Sequence, residues 1–565
     1  MQHKINTVNI IGSKVVTDIP KIVNRHVKHL ILDFDDKSRT DAIYKSLRLM
    51  LNGRFEKYIF NEETLDKMLD KTLSEVEFQK VLSGLNEKQS IRKANGVYYT
   101  PKDVVDFIVS NCFNKINNKE DETVVSVFKS TSDFENAKIL ACSLNVLDPT
   151  CGSGEFLISA FENKIKIYSK FKKTDDDAII DILKTIHGND INVESVDITK
   201  VRLFFETIKH INDTQRYIEI ATTINEKMST YDFVDIDVTK FMKYDMIVGN
   251  PPYVEDSKSI SRPKDKYGNI YANVLQNSLN LLSNYGVMGF IIPISYVSTP
   301  RMNKIRKYVE DNTSKQFVLN YADRPDCLFA SVHQKLSILI AIKGNEEHKI
   351  YSSSYKYWYK NERANLFSHQ SICENPYVNE LFYPKVGNKT ELSIFRKVFT
   401  TSENNIIDTT TDSAVDNVYL NMRACFWIKA FSFNPGSKEY KGFAFDESKK
   451  AFMLCLLNSS LYFLFWILIS DCWHITAKEL KHFDVPCKKL NFNVFAELAD
   501  ELENELERTK KYIGSKQTDY EYKHKLCKTV IDKIDDELAN VYGLTKSEVS
   551  YIKSFASKYR ESLGG

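Results

Sequence analysis

The stretch LNVLDPTCGSGEFL, residues 144–157, decides the fold. Its first part is an apolar run that ends at Asp148, its middle carries glycines at 152 and 154, and its last residues begin a helical pattern. A strand that passes through a glycine-bearing loop into a helix is the repeating unit of a parallel α/β sheet. Such sheets bind ligands at the carboxyl ends of their strands, so this loop predicts a ligand site.

The loop favours a cationic ligand over a nucleotide pyrophosphate. It lacks the G-x-G-x-x-G register, and no lysine followed by Ser or Thr is present to hold a phosphate. The carboxylate of Asp148 would repel a phosphate but attract a positive group. S-adenosylmethionine carries both an ammonium and a sulfonium, and we therefore predict it as the cofactor.

Two further acids follow in the order expected of successive βα units. Asp190, in IHGNDIN at 186–192, lies where a second parallel strand should end, a position from which a carboxylate can bind ribose hydroxyls. The alternative is an N-cap of the helix that follows. Asp232 and Phe233 offer an acid and a ring for an adenine, although an acid at a strand end is also ordinary solvated surface.

The tetrapeptide Asn250-Pro251-Pro252-Tyr253, which follows the apolar run at 244–249, predicts chemistry on an amine. Two prolines fix φ and remove backbone donors, leaving a stiff corner that accepts hydrogen bonds. The Asn250 side-chain oxygen and the Pro251 carbonyl can take both hydrogens of a planar amine, which favours a nucleophilic nitrogen. Tyr253 can stack on the ring that carries the amine. The alternative is a plain turn.

A look-alike, Asn375-Pro376-Tyr377, occurs further along the chain. It has one proline, and the residues before it, 371–374, do not form an apolar run. We therefore predict a surface turn there, without a preceding strand.

With these motifs in this order, the chain resembles N6-adenine DNA methyltransferases of the gamma class over about residues 90–345. GVYYTP at 96–101 resembles the opening cofactor segment of that family, and the tetrapeptide matches its catalytic motif. The implied catalytic residues are Asn250, Pro251, Pro252 and Tyr253. The implied cofactor-binding residues are Tyr98, Thr100, Pro101, Asp148, Thr150, Gly152, Gly154, Asp190, Ile191, Asp232, Phe233 and Asn250.

The resemblance implies double-stranded DNA as the substrate, with the target base rotated out of the stack because a stacked base cannot reach the cleft. Tyr253 would hold one face of that base. Phe329, before the apolar run at 336–340, is the candidate for the other face, and a core phenylalanine is an equally good interpretation. Cytosine also carries such an amine, so the choice of adenine rests on the resemblance.

The predicted class is α/β, with a Rossmann-like S-adenosylmethionine-dependent methyltransferase domain at 91–345. A helical region at 1–90 precedes it, and an α+β target-recognition domain at 346–490 and a helical extension at 491–565 follow. Side chains able to read base edges occur in the recognition region, although each is also an ordinary surface residue. They are Arg363, Asn365, Asn421, Arg423 and Lys478.

Composition is consistent with a cytoplasmic protein, and the resemblance implies a bacterial or phage source. Lys and Arg number 77 against 75 acids, so a DNA-binding surface must be local. The ten cysteines show no C-x-x-C pair or metal-ligand spacing, and we predict reduced thiols and no metal site. The apolar run at 461–469 is too short to span a bilayer and predicts a core helix and no membrane partner.

Three functions are compatible with these residues. The leading one is a site-specific adenine methyltransferase, acting alone or beside a cognate restriction endonuclease encoded separately. A protein glutamine N5-methyltransferase could use the same tetrapeptide on a carboxamide nitrogen, but the large carboxyl-terminal region speaks against it. The third is a non-catalytic DNA-recognition subunit of a defence complex.

Overall fold

A computed structural model describes residues 36–58, 60, 65, 68, 100–117, 134–329, 333–368, 370–412, 415–486, 492–514 and 518–561. The predicted cofactor residue Tyr98 and most of the predicted 1–90 region lie outside these ranges. Statements below concern the described residues.

A nine-stranded sheet forms the centre of the molecule, in the order β3-β2-β1-β4-β5-β7-β6-β8-β9. The first five strands run parallel, and β7 lies antiparallel between β5 and β6. This topology confirms the predicted α/β class. The strands are β1 (Val146–Asp148), β2 (Ile186–Asn189), β3 (Met228–Ser229), β4 (Tyr244–Gly249), β5 (Leu282–Pro293), β6 (Thr313–Tyr321), β7 (Leu336–Lys343), β8 (Lys349–Lys356) and β9 (Ile372–Glu374).

Helices cover both faces of this sheet, and its inner strands are accordingly apolar and buried. The helices up to β6 are α1 (Asp36–Leu51), α2 (Lys102–Asn117), α3 (Phe134–Cys142), α4 (Glu155–Ser169), α5 (Asp176–Leu183), α6 (Val193–Ile208), α7 (Tyr217–Lys227), α8 (Ile270–Leu281), α9 (Ser295–Ser298) and α10 (Asn303–Asn312). Just after α1, Arg54 donates from two nitrogens to the fully buried carboxylate of Asp197 on α6, at 2.7 Å each. This pair fixes the amino-terminal helix region to the sheet domain.

The sheet continues beyond residue 345. Strand β8 runs parallel to β6, and β9 pairs antiparallel with β8. The boundary predicted at 345 therefore falls between β7 and β8, which are consecutive in the chain and belong to one sheet, while the functional division of the chain stays a prediction.

The look-alike motif differs from its prediction in two ways. Asn375 directly follows strand β9, and its side chain is only 3% exposed. Its amide nitrogen donates to the Ser352 hydroxyl at 3.0 Å and to the Pro384 carbonyl at 2.6 Å. Pro376 and Tyr377 do form a turn, with Pro376 exposed. The prediction that no strand precedes it was wrong, and the Asn375 amide is not on the surface, because it satisfies polar groups inside the protein.

The carboxyl-terminal region combines helices with two small sheets. Its strands are β10 (Val418–Asn421), β11 (Ala430–Phe431), β12 (Tyr440–Phe443), β13 (Lys511–Tyr512) and β14 (Tyr520–Glu521). Its helices are α11 (Lys389–Val398), α12 (Glu447–Asn458), α13 (Ser460–Ile469), α14 (Ala477–Lys481), α15 (Phe492–Thr509), α16 (Lys528–Tyr542), α17 (Lys546–Ser554) and α18 (Ser557–Arg560).

The most apolar run of the sequence is helix α13, and none of its residues is more than 1% exposed. The prediction of a core helix is confirmed. No single helix among the described ranges is long and apolar enough to cross a bilayer. Helices α12 and α13 reach the length and apolar composition of a membrane-spanning helix only when they are taken together, and the chain bends by 63° at the break between them.

Candidate active site

The glycine loop after β1 is held in a left-handed conformation. Gly152 has φ +52° and Gly154 φ +89°, values that favour glycine. A Cβ at Gly154 would also lie 2.9 Å from the Thr199 Cγ2 of helix α6. The Thr199 hydroxyl donates to the Gly152 carbonyl at 2.8 Å, so helix α6 holds the loop in place. Nothing in the sequence pattern had marked Thr199.

Asp148 ends β1 and is 1% exposed. One of its carboxylate oxygens accepts the Thr150 N–H at 3.0 Å, and burial raises the pKa of this carboxyl well above its usual range. A Cβ at Gly249, the last residue of β4, would lie 2.7 Å from that oxygen. Glycine at 249 therefore leaves room for the acid. A cation brought close to Asp148 would favour its ionised form.

Asp190 directly follows β2, as the motif spacing predicts. Its two carboxylate oxygens accept one N–H each, from Gly152 at 3.0 Å and from Asn192 at 2.8 Å. The N-cap of α6 is Asn192, whose side chain accepts the Glu194 N–H, so the alternative of Asp190 as the cap was wrong. An ionised carboxylate has about four acceptor positions, and Asp190 can still accept hydroxyl hydrogens from a ligand.

Asp232 and Phe233 lie after β3 on a loop that β2 supports. The Asp232 carboxylate accepts the Val234 N–H at 3.0 Å and caps a short 3-10 helix at Phe233–Asp235. The Phe233 ring is 3% exposed, and its carbonyl accepts a hydrogen bond from the Asn277 amide at 2.8 Å. Beside Asp190, Ile191 is 50% exposed.

The tetrapeptide follows β4 at the same edge of the sheet. The Asn250 amide nitrogen donates to the Thr100 hydroxyl at 3.1 Å, and the Thr150 hydroxyl donates to the Asn250 carbonyl at 3.4 Å. The opening segment, the glycine loop and the tetrapeptide therefore meet at one residue. With its nitrogen directed to Thr100, the amide presents its oxygen on the opposite side.

Tyr253 is anchored through its hydroxyl, which donates to the Ile291 carbonyl of β5 at 2.8 Å. Its ring is half-buried, Pro251 is buried and Pro252 is half-buried. A ring held at its tip and at its backbone has a fixed position and long axis, which suits a stacking surface. The Ile291 carbonyl carries no signal in the sequence that could have identified it.

The surroundings of Phe329, the candidate for the other face of the base, differ from those of Tyr253. Its ring is 2% exposed and belongs to the hydrophobic core. The Arg363 guanidinium donates to the carbonyls of the two preceding residues, Cys327 at 3.2 Å and Leu328 at 3.0 Å. This conformation offers no open ring face to a base, which favours the core interpretation. Residues 330–332, which follow, lie outside the described ranges.

Three of the side chains considered for base reading are engaged within the protein. Arg363 forms a two-bond ion pair with Asp103 on α2, at 2.8 and 3.0 Å. Lys478, about 10% exposed, donates to the Ser298 and Ile469 carbonyls at 2.6 and 2.7 Å. Arg423 pairs with Glu439 at 3.0 Å. For Arg363 and Lys478 in particular, these contacts favour a structural role.

The structure brings most of the predicted site together. Asp148 ends β1, and Asp190 and Asn250 directly follow the neighbouring strands β2 and β4. Thr100, Thr150 and Gly152 form hydrogen bonds with these residues. Within the described ranges, no group of three or more His, Cys, Asp or Glu side chains could hold a metal ion.

Comparison with known proteins finds a family match for part of the chain. Residues 184–325 match the model of the Eco57I restriction-modification methylase family. The chain is 25% identical over 240 residues to the type II methyltransferase M.BstVI of Geobacillus stearothermophilus, a match that covers 40% of this chain and 38% of that protein. It is 25% identical over 266 residues to the type II restriction enzyme and methyltransferase RM.Eco57I of Escherichia coli, covering 38% of this chain and 25% of that one.

Among solved structures, the Type IIL restriction-modification enzyme MmeI in complex with DNA aligns with a TM-score of 0.45 at 12% identity, over 86% of this chain and 80% of that one. The two sequence relatives are matched over less than half of their own lengths. The family match confirms the resemblance to restriction-modification methyltransferases that the motifs indicated.

Proposed function

We propose that this chain, whose residues 184–325 carry the restriction-modification methylase match, transfers a methyl group from S-adenosylmethionine to N6 of an adenine turned out of duplex DNA. The observation that carries the proposal is the junction at Asn250. Its amide nitrogen is held by Thr100 and its carbonyl by Thr150, so its amide oxygen is preset at the carboxyl end of β4.

The residues at this edge fit the proposed cofactor. Asp190 retains acceptor capacity for the ribose hydroxyls, and the buried Asp148 suits the positively charged methionine part. Asp232 follows β3, and Thr100 is bonded to Asn250, which follows β4. When bound, S-adenosylmethionine supplies a methyl group already activated by its positive sulfur.

The chain's own residues then have little acid-base work. The Asn250 oxygen and the Pro251 carbonyl would accept the two amine hydrogens and favour a nucleophilic nitrogen. Tyr253 would stack on the base, and the bond from its hydroxyl to the Ile291 carbonyl of β5 would hold the ring in position. Fixed orientation of nitrogen and methyl group, together with exclusion of water, accounts for the acceleration.

Duplex DNA is the proposed substrate, in the cytoplasm of a bacterium or phage-infected cell, and a cognate endonuclease encoded separately is a further proposed partner. Residues 91–345 would carry the chemistry, 346–490 the target recognition, and 1–90 and 491–565 the supporting helical regions. Adenine is proposed over cytosine because of the resemblance of the tetrapeptide to adenine-specific enzymes.

The test is incubation with methyl-labelled S-adenosylmethionine and genomic DNA, followed by nucleoside analysis of the DNA. Wild-type protein should produce N6-methyladenine, and Asn250→Ala should not. Asn540→Ala removes an exposed asparagine on α16, outside the proposed recognition region, and serves as the control that should methylate normally. Label found only in protein would favour glutamine methylation. DNA binding without any label would favour a recognition subunit.

A further inference from the structure

The tetrapeptide leads into an anchored loop at residues 254–269. Its two ends are joined by the Ile270 N–H donating to the Val254 carbonyl at 2.9 Å, and by the Gly268 N–H donating to the Asp256 carboxylate at 2.7 Å. The loop therefore projects from the carboxyl end of β4 and returns to it before α8 begins. It lies at the same sheet edge as the candidate active site.

Ile260, near the middle of this loop, is 81% exposed, more than any other large apolar side chain in the described ranges. The backbone on both sides is held in place. The Ser261 N–H donates to the Ser259 hydroxyl at 3.1 Å, Arg262 donates to the Ser259 carbonyl at 2.7 Å, and Ser261 is 8% exposed. Ile260 is thus presented to the solvent by an ordered turn.

The surroundings of Ile260 are cationic. Residues 257–266 hold four basic residues against one acid, whereas the whole chain is almost balanced. One of the four, Lys258, is paired with Glu255 at 2.6 Å, and the whole loop at 254–269 holds four basic residues against three acids. All five charged side chains at 257–266 are exposed, and the acid, Asp265, accepts a hydrogen bond from Gln276 at 2.8 Å. The basic residues are Lys258, Arg262, Lys264 and Lys266. A polyanion is the partner that such a surface fits.

A single exposed apolar residue usually needs no explanation. Here three features coincide: an isoleucine on an anchored turn, an excess of positive charge around it, and a position seven residues after Tyr253, at most about 25 Å along the chain. Proteins that deform DNA combine cations on the phosphates with an apolar wedge between base steps.

We propose that Ile260 enters the base stack of the duplex beside the nucleotide that leaves it, while the surrounding lysine and arginine side chains bind the phosphates. The inference rests on the proposed function and deepens it. An extruded base leaves an unstacked gap, and an isoleucine that is in water before binding can fill that gap without first losing contacts inside the protein.

The test uses a duplex that carries the site mapped by sequencing methylated genomic DNA, with 2-aminopurine in place of the target adenine. Fluorescence of 2-aminopurine rises when it leaves the stack. Ile260→Ala should lower this rise and should reduce kcat/KM for methyl transfer to the unmodified duplex roughly tenfold, since unstacking a base step is costly. Ile260→Leu should keep both properties.

The matched control is Ile139→Ala, the same change at a residue 56% exposed on α3, which leads into the opposite end of β1. It should behave as wild type. A mismatch opposite the target adenine makes extrusion easier, so the deficit of Ile260→Ala should shrink to about twofold on that duplex. Cofactor affinity should be unchanged in every variant.

The contribution of the basic side chains around Ile260 is tested by the salt dependence of binding to a duplex that lacks the methylation site. Changing Lys264 and Lys266 to Gln should reduce the slope of log affinity against log salt by about 2, because each phosphate contact contributes about 0.9. The same change at Lys172 and Lys173, at the far end of α4, should leave the slope unaltered.

The outcomes distinguish a failure of the Ile260 proposal from a failure of the proposed methyltransferase function. If wild-type protein methylates DNA while Ile260→Ala matches it in both fluorescence and methylation, the wedge is overturned and the proposed function stands; an isoleucine that serves a protein partner would give this result. If wild-type protein transfers no methyl group to DNA, the proposed function fails and the wedge fails with it.

Discussion

The Asn250 amide nitrogen donates to the hydroxyl of Thr100 at 3.1 Å, across 150 residues of sequence. Thr100 is 7% exposed and precedes helix α2, whereas Asn250 is the first residue after β4. The hydroxyl fixes which way the amide faces. We infer that Thr100 is a positioning residue for the amide oxygen that would meet the target amine.

Thr100→Val should therefore impair methyl transfer more than folding. Valine keeps the shape but removes the acceptor, and an unpaired buried amide costs about 1–3 kcal/mol or rotates to find another partner. We expect kcat to fall at least roughly tenfold by the same principle. Thr100→Ser restores the hydroxyl and should recover most activity. Equal loss in both variants, or a loss explained by a lower Tm, would contradict this role.

Tyr253→Ala should weaken handling of the extruded base while cofactor affinity stays near normal. Stacking on an aromatic ring contributes about 1–3 kcal/mol per base. Tyr253→Phe keeps the ring but loses the bond to the Ile291 carbonyl, and should give an intermediate effect. Cofactor binding by calorimetry and KM for DNA separate the two contributions. Loss of cofactor binding in Tyr253→Ala would count against the assignment.

Asp190→Ala should mainly harm cofactor binding. It removes the acceptor of the Gly152 N–H, which orders the glycine loop, together with the proposed ribose contact. A charged hydrogen bond contributes about 1.5–3 kcal/mol, so Kd for S-adenosylmethionine should rise roughly tenfold or more. Asp237→Ala is the control, because Asp237 also caps a backbone N–H, that of Thr239 at 3.2 Å, but lies away from the loop. Equal Kd values in both variants would sink this prediction.

Arg363→Gln should leave the methylated sequence unchanged. The guanidinium already binds Asp103 and the Cys327 and Leu328 carbonyls, so it ties the segment before Phe329 to helix α2. We expect a lower Tm and lower activity, with the same sites found when methylated genomic DNA is sequenced. A relaxed or altered recognition sequence would restore Arg363 as a base-reading residue.

Asp535 should make the stability of the carboxyl-terminal helices depend on pH. Its buried carboxylate accepts the Ser460 and Leu461 N–H groups at the start of α13, and burial raises its pKa to about 6. In the unfolded chain it titrates near 4. The folded state therefore binds the extra proton, and the stability that this group contributes below about pH 4 is lost as the pH rises through 6.

In Asp535→Asn this loss should disappear. Between pH 4.5 and 7 the wild-type protein should lose on the order of 1–3 kcal/mol more unfolding free energy than the variant. Thermal unfolding at several pH values measures the difference. Parallel pH profiles for the two proteins would show that the carboxyl does not titrate in this range.

Local patterns were sufficient to predict the elements that carry the site. The apolar run, glycine loop and helix at 144–157 are contiguous, and Asp190 and Asn250 each follow a strand at once, so strand periodicity places them. The α/β class follows from the same order. What sequence could not supply are contacts between distant segments, such as Thr100 with Asn250 or Thr199 beneath Gly154.

The strand that was missed and the side-chain role that was left open have the same cause. The strand before Asn375 was missed because a three-residue strand such as β9 leaves almost no periodic signal. The burial of Asn375 was missed because its partners Ser352 and Pro384 are remote or unmarked in sequence. Arg363 has the composition of a base-reading residue, and only its distance to Asp103 shows where the guanidinium is engaged.

The most direct measurement is the structure of the full chain bound to a duplex with its mapped site and a non-reactive analogue of S-adenosylmethionine. The account predicts one adenine outside the stack, with its amino nitrogen about 3 Å from the Asn250 amide oxygen and the Pro251 carbonyl and its ring against Tyr253. A complex that is competent for methylation but keeps every base stacked, or places the extruded nucleotide away from Asn250, would contradict it.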